Sequence, residues 1–211
     1  MIDYDLARQR MVDYQIAGRG VSDDLVLAAM RNVPRHRFVP EDLWDRAYDD
    51  GPLPIGEGQT ISQPFIVAHM TELLGLQGGE KVLDIGTGSG YQTAVLAEIA
   101  GDVHTIERVA PLLREASIIL GELGYDNIHF YHGDGWKGLP EQAPFDGILV
   151  AAAASRIPSA LKNQLNPDGG RMVIPVGGDF WQKLMLIERH GGRFISVDQG
   201  EVRFVPFIEG K

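Results

Sequence analysis

The stretch Val82–Ala97 reads VLDIGTGSGYQTAVLA and sets an acid, three alternating glycines and a helical run side by side. Val82, Leu83 and Ile85 have the apolar character of a buried strand, so Asp84 lies within it. Gly86, Gly88 and Gly90 carry no Cβ. They let the chain turn tightly and bring backbone N–H groups at a helix N-terminus close to a ligand. A dinucleotide fingerprint, G-x-G-x-x-G, is not met, because Tyr91 stands where its last glycine belongs.

Two further acids accompany the loop. The next strand, VHTIE, ends at Glu107, roughly 20 residues on, where a carboxylate accepts both hydroxyls of a ribose. After the third strand, HGDG places Asp134 and Gly135 where an adenine ring would be held. Asp84, pointing at the ligand's centre, suits a cationic amino group better than a pyrophosphate. Three acids around a glycine loop with no Lys or Arg of its own describe a nucleoside that carries positive charge. S-adenosylmethionine, leaving as S-adenosylhomocysteine, is such a molecule.

Other chemistries are set aside by composition. The 211 residues include no Cys, which excludes disulfides, thiolate metal sites, a Cys nucleophile and covalent activation of a base. It also fits a reducing compartment, and the cytoplasm is the expected location. With 19 Lys+Arg against 29 Asp+Glu, the net charge is −10, and no nucleic-acid partner is expected. The segment after the fourth strand, AAAASRIP, also lacks the Asn-Pro-Pro-aromatic cluster of exocyclic-amine DNA methylases. Ile148–Ala154, the longest apolar run, is far short of the roughly 20 residues of a spanning helix, so no membrane partner is expected. Charges scattered through the first 20 residues do not resemble a secretory signal. His129 and His132 lie an odd number apart on a strand and face opposite ways, so no metal site is expected from them.

Positioning these groups requires a frame. Residues 3–32 read as helical, with Ser22 resembling an N-cap for SDDLVLAAMRNV. Residues 44–64 are dense in Gly and Pro and read as a long ordered loop or a disordered linker; long loops in compact domains often carry function. From Phe65 onward, strands alternate with helices, the pattern of a mostly parallel sheet covered on both faces. KLMLIER, a Gly191–Gly192 turn and RFISVDQGEVRFVPF then close the chain as an antiparallel hairpin. The expected architecture is α/β: a doubly wound, seven-stranded, mostly parallel Rossmann-like sheet with a helical N-terminal extension. Residues 1–64 would form that extension and the substrate-side loop, and 65–211 the cofactor-binding core of one compact, monomeric unit.

AYDDGPLPIGEGQTISQPFIVAHMTELLGL, the glycine stretch, HGDGWKG, APFDGILV, GGRMVIPVG and VRFVP follow in order. Together they resemble the bacterial protein-L-isoaspartate O-methyltransferases, from the RFVP at Arg37–Pro40 almost to the end. The resemblance implies methyl transfer from S-adenosylmethionine to the free carboxylate of L-isoaspartyl residues in damaged proteins and peptides. The ester would then collapse through a succinimide toward aspartate. It further implies that Ser62 is the catalytic residue holding the substrate carboxylate, that Gln59, Thr60 and Ile61 border the cofactor, and that Val205 offers backbone groups to the peptide. A carboxylate is already ionised near neutral pH, so the attack needs orientation and desolvation rather than a general base. Departures from the family pattern are Phe65 for Tyr, Asp84 for Glu, Ala151 for Thr and the Ser155–Arg156 pair.

Overall fold

A computed structural model describes residues 2–178 and 180–210. Two short helices open the chain, α1 (Tyr4–Arg10) and α2 (Asp24–Asn32), joined by a π-helical stretch, Met11–Ile16, that buries Met11, Val12 and Ile16. The cap of α2 differs from expectation. Asp23, not Ser22, accepts from the amides of Leu25 and Val26. Ser22 instead gives its own N–H to Glu72 at 2.7 Å.

The Gly/Pro-rich stretch is more regular than its composition suggests. It holds a two-stranded antiparallel sheet, β1 (Leu53–Gly56) and β2 (Gln59–Ile61), with Leu53 paired to Ile61. Helix α3 (Pro64–Leu74) follows, with Pro64 in its first turn, where the missing N–H costs nothing, and Gly75 closing it at φ 64. The expected boundary between residues 64 and 65 therefore falls inside the first turn of this helix.

The core alternates as expected: β3 (Lys81–Ile85), α4 (Tyr91–Ala97), β4 (Asp102–Glu107), α5 (Ala110–Glu122), β5 (Ile128–His132), β6 (Gly147–Val150), α6 (Ser159–Gln164) and β7 (Asp168–Gly177). Strands β8 (Gln182–His190) and β9 (Arg193–Val202) complete a seven-stranded sheet of order β5-β4-β3-β6-β7-β8-β9. All pairings from β5 to β7 are parallel; β7–β8 and β8–β9 are antiparallel.

Both faces of the sheet are covered, and the alternation along β3 shows how. Val82 packs into a core shared with α3, α4, α5 and the N-terminal helices, whereas Leu83 and Ile85 join Trp136, Leu161 and Met172 on the opposite side. The chain winds from β3 outward to β5, then crosses back to β6 beside β3. Such a reversal opens a crevice at the carboxyl ends of the strands.

Candidate active site

A cavity of about 140 Å³ occupies that crevice. Its wall is built from the ends of β3 and β4, the glycine loop, the β1–β2 hairpin and the segment after β9. Among the expected cofactor residues, Gln59, Thr60, Ile61, Gly86, Gly88, Glu107 and Gly135 line it. Gly86 adopts φ 94, a conformation that side chains disfavour, and turns the chain out of β3 over the cavity.

Glu107 ends β4 at the cavity wall. It is 7% exposed, and its carboxylate accepts the N–H groups of Gly88 at 3.0 Å, Arg108 at 2.8 Å and Val109 at 2.9 Å. Two carboxylate oxygens offer about four acceptor positions, so capacity remains for a ligand hydroxyl. The rest of the wall is largely apolar, with Ile61, Met70, Ile85 and Ile106. A deep acid within an apolar crevice fits a ribose and a flat aromatic base.

Three expected residues do not reach the wall. The Asp84 side chain turns toward α4, because the last residue of β3, Ile85, and then Gly86 take the edge of the cavity. Asp84 is fully buried, accepting from Thr93 Oγ1 at 2.6 Å and Thr105 Oγ1 at 3.0 Å. Thr105 is its register partner on β4 and shares a 2.6 Å hydrogen bond with Thr87 of the loop. Asp84 thus braces the glycine loop from beneath, and its Oδ1 has no hydrogen-bond partner among the described residues. Burial pushes its carboxyl up to about 7, with the nearby negative charge of Glu107 acting in the same direction. Gly90 caps α4 at φ 89, and a Cβ there would stand 3.1 Å from Ala116 and Leu120, so it serves the packing of α4 on α5. The Asp134 carboxylate caps the turn Gly135–Lys137 by accepting from Trp136 N–H at 3.0 Å.

On the acceptor side, a groove of about 700 Å³ shares Thr60, Ser62, Ala151, Phe204 and Val205 with the cavity. Ser62 borders both spaces. Among the described residues its hydroxyl has no partner, whereas its backbone carbonyl accepts from Arg35 Nη2 at 2.8 Å. Val205 is partly committed: its carbonyl accepts from Ala153 N–H at 2.8 Å, whereas its N–H has no partner among the described residues. The groove wall also carries Arg19, Glu201 and Arg203, which the sequence alone does not single out.

The histidines group differently from the sequence expectation. His129 and His132 do diverge, but His129 is the register partner of His104 across β4–β5. Asp102 bridges the two rings, at 2.9 Å to His104 Nε2 and 2.7 Å to His129 Nε2, and His104 Nδ1 meets Tyr131 Oη at 3.0 Å. Metal-ligating side chains therefore gather here across the starts of β4 and β5, the opposite end of β4 from Glu107, with Asp102, His104 and His129 already joined to one another by hydrogen bonds.

Fold and site together define a doubly wound methyltransferase. Comparison with known proteins narrows the class. Residues 6–211 match the family model described as protein-L-isoaspartate (D-aspartate) O-methyltransferase. A protein-L-isoaspartate O-methyltransferase of Opitutus terrae is 53% identical over 97% of this chain and 88% of its own length. A protein-L-isoaspartate O-methyltransferase 1 of Nitrosospira multiformis is 56% identical over 99% of this chain and 89% of its own. Among solved structures, a protein-L-isoaspartate O-methyltransferase superposes with TM-score 0.84 at 28% identity over 94% of this chain, which spans 65% of that longer one. A Plasmodium falciparum β-aspartate methyltransferase, solved with S-adenosyl-L-homocysteine, superposes with TM-score 0.82 at 26% identity, covering 96% of this chain and 99% of its own. The chain belongs to the protein-L-isoaspartate O-methyltransferase family.

Proposed function

We propose that this chain methylates the free carboxylate of L-isoaspartyl residues in proteins and peptides, with Ser62 as the residue that holds that carboxylate. The observation that carries the assignment is the place of Ser62: it lies between the cavity and the groove with an unengaged hydroxyl. Glu107 holds the ribose, and the glycine loop and Gly135 hold the nucleoside. Asp84, Gly90 and Asp134 support that surface from behind. When bound, S-adenosylmethionine supplies a sulfonium methyl as electrophile.

The protein's own part is orientation. Ser62 would donate to one carboxylate oxygen and the Val205 N–H would hold the peptide, leaving the other oxygen free to attack the methyl group; a C–O bond would form as the C–S bond breaks and sulfur keeps the electron pair. No proton moves, which agrees with a wall whose charged groups are Glu107 and Arg108. The neighbouring backbone nitrogen then attacks the ester carbonyl, an N–C bond replaces the C–O bond to the methoxy group, methoxide leaves with the amide proton as methanol, and water opens the resulting succinimide in part to aspartate.

We further propose a monomer that works in the cytoplasm without a nucleic-acid or membrane partner. The absence of Cys and the charge of −10 support this reading. Among the described residues no helix is long and apolar enough to cross a membrane.

Replacing the hydroxyl tests the assignment. Ser62→Ala should lower kcat/KM for an isoaspartyl peptide by about 10- to 100-fold, the worth of one hydrogen bond to a charged group. Titration calorimetry should find S-adenosylhomocysteine affinity within about threefold of wild type. Equal losses in both would place Ser62 on the cofactor side.

A further inference from the structure

Arg35 is among the largest fully buried side chains of the described residues, at 0% exposure, and it is a cation. Its position beneath the acceptor site is specific. Nε donates to Ala47 O at 2.7 Å, Nη2 donates to Ser62 O at 2.8 Å, and the guanidinium carbon lies 4.8 Å from the centre of the Tyr91 ring. Tyr91 in turn lines the cavity at the first residue of α4. Among the described residues no carboxylate pairs with Arg35, and Nη1 is buried without any hydrogen-bond partner.

A buried charge without a counter-charge is expensive, and a guanidinium cannot shed its proton to escape the cost. Two backbone carbonyls and an aromatic face soften the penalty without cancelling the charge. A hydrophobic side chain of similar size would fill the same space at less cost. What the charge adds is positive potential directly behind the residue whose hydroxyl meets an anionic acceptor. It acts in a low-dielectric setting where such a field is strong. The hydrogen bond adds geometry. With the Ser62 carbonyl fixed on the guanidinium, the amide of Gln63 on the same planar peptide unit faces the opposite way and is polarised by the charge.

We propose that Arg35 is a positioning residue for methyl transfer: its unpaired buried guanidinium fixes the Ser62 peptide unit and draws the anionic acceptor into the site. The role rests on the assignment of Ser62 to the acceptor carboxylate. It also explains how a protein with net charge −10 admits a substrate whose reacting group is an anion.

Two variants test it, each compared with wild type for transfer to an isoaspartyl peptide, for S-adenosylhomocysteine affinity by calorimetry, and for melting temperature. Arg35→Met removes the charge and keeps an apolar stem. Its kcat/KM for the peptide should fall by about 100-fold, in both KM and kcat, with the affinity for S-adenosylhomocysteine within about threefold. Arg35→Lys keeps the charge without the two-armed fork and should recover activity to within about tenfold of wild type. If Arg35→Met does not fold, Arg35→Lys decides: a loss of about three- to tenfold in peptide kcat/KM with unchanged cofactor affinity supports the role. Parallel loss of cofactor and peptide affinity, or wild-type kcat/KM in a folded variant, overturns it. A wild-type protein that transfers nothing to the isoaspartyl peptide fails at the earlier step and overturns the functional reading along with this role.

Discussion

Asp84 illustrates what a motif reveals and what it hides. Its presence beside the glycine loop is legible from sequence; the direction of its side chain is not. That direction depends on which residue ends the strand and on Thr93 and Thr105, which come from two other elements. Glu107, one strand over, ends β4 itself and so does reach the crevice. The buried carboxyl of Asp84 has a consequence for stability. Its ordinary value of 3.8 rises to about 7 in the fold, so the native state holds this proton more tightly than the unfolded chain. The resulting stabilisation is fully present below about pH 4 and is lost as pH rises through about 7. Thermal melts of the ligand-free protein should therefore fall in midpoint between about pH 5 and about pH 8. Asp84→Asn should flatten that fall, because its side chain does not titrate. A fall of the same size in the variant would assign the pH dependence to other groups.

At the scale of elements, strong periodicity carried most of the reading. Strands β3 to β6 and helices α3 to α5 follow from apolar runs punctuated by Gly and Pro, because buried parallel strands tolerate little else. The β1–β2 hairpin was hidden in residues that read as loop. Its turn uses Gly56 and Gly58 at positive φ, with Glu57 also left-handed at φ 50, so only three-residue pairing survives beside it. That small hairpin delivers Gln59, Thr60 and Ile61 to the cavity and leads into Ser62. Position 90 tests the packing of the glycine loop's own helix. Gly90→Ala must adopt φ 89 and press its Cβ 3.1 Å from Ala116 and Leu120. Urea unfolding should show a loss of about 1–3 kcal/mol, the range for a residue held in disfavoured backbone geometry. An unchanged midpoint would remove the packing role.

Over the whole molecule, charge is unevenly distributed. The acids at Asp42, Asp45 and Asp49 lie exposed on the N-terminal side, whereas the groove beside Ser62 carries Arg19, Arg203 and Glu201, with Asp50 accepting from Gln63 of its wall at 2.7 Å. Arg19 pairs with Asp50 at 3.3 Å and lies 3.8 Å from the centre of the Phe65 ring. Arg203 makes no ion pair among the described residues. Net charge is readable from composition, but this local near-balance of charge arises only where the helical extension and the end of the chain line the same groove. Arg203→Glu should raise KM for an isoaspartyl peptide by about three- to tenfold at low salt, with the difference shrinking at about 0.5 M salt as exposed charges are screened. A KM shift that ignores salt would point to shape rather than charge.

A paired assay identifies the carboxylate that accepts the methyl group. The protein is incubated with methyl-labelled S-adenosylmethionine and either an isoaspartyl peptide or the same peptide with an ordinary aspartyl residue. Label should appear in the isoaspartyl peptide as a base-labile ester that releases methanol, and essentially none in its aspartyl twin. Equal labelling of both peptides, or label that resists base, would contradict the assignment.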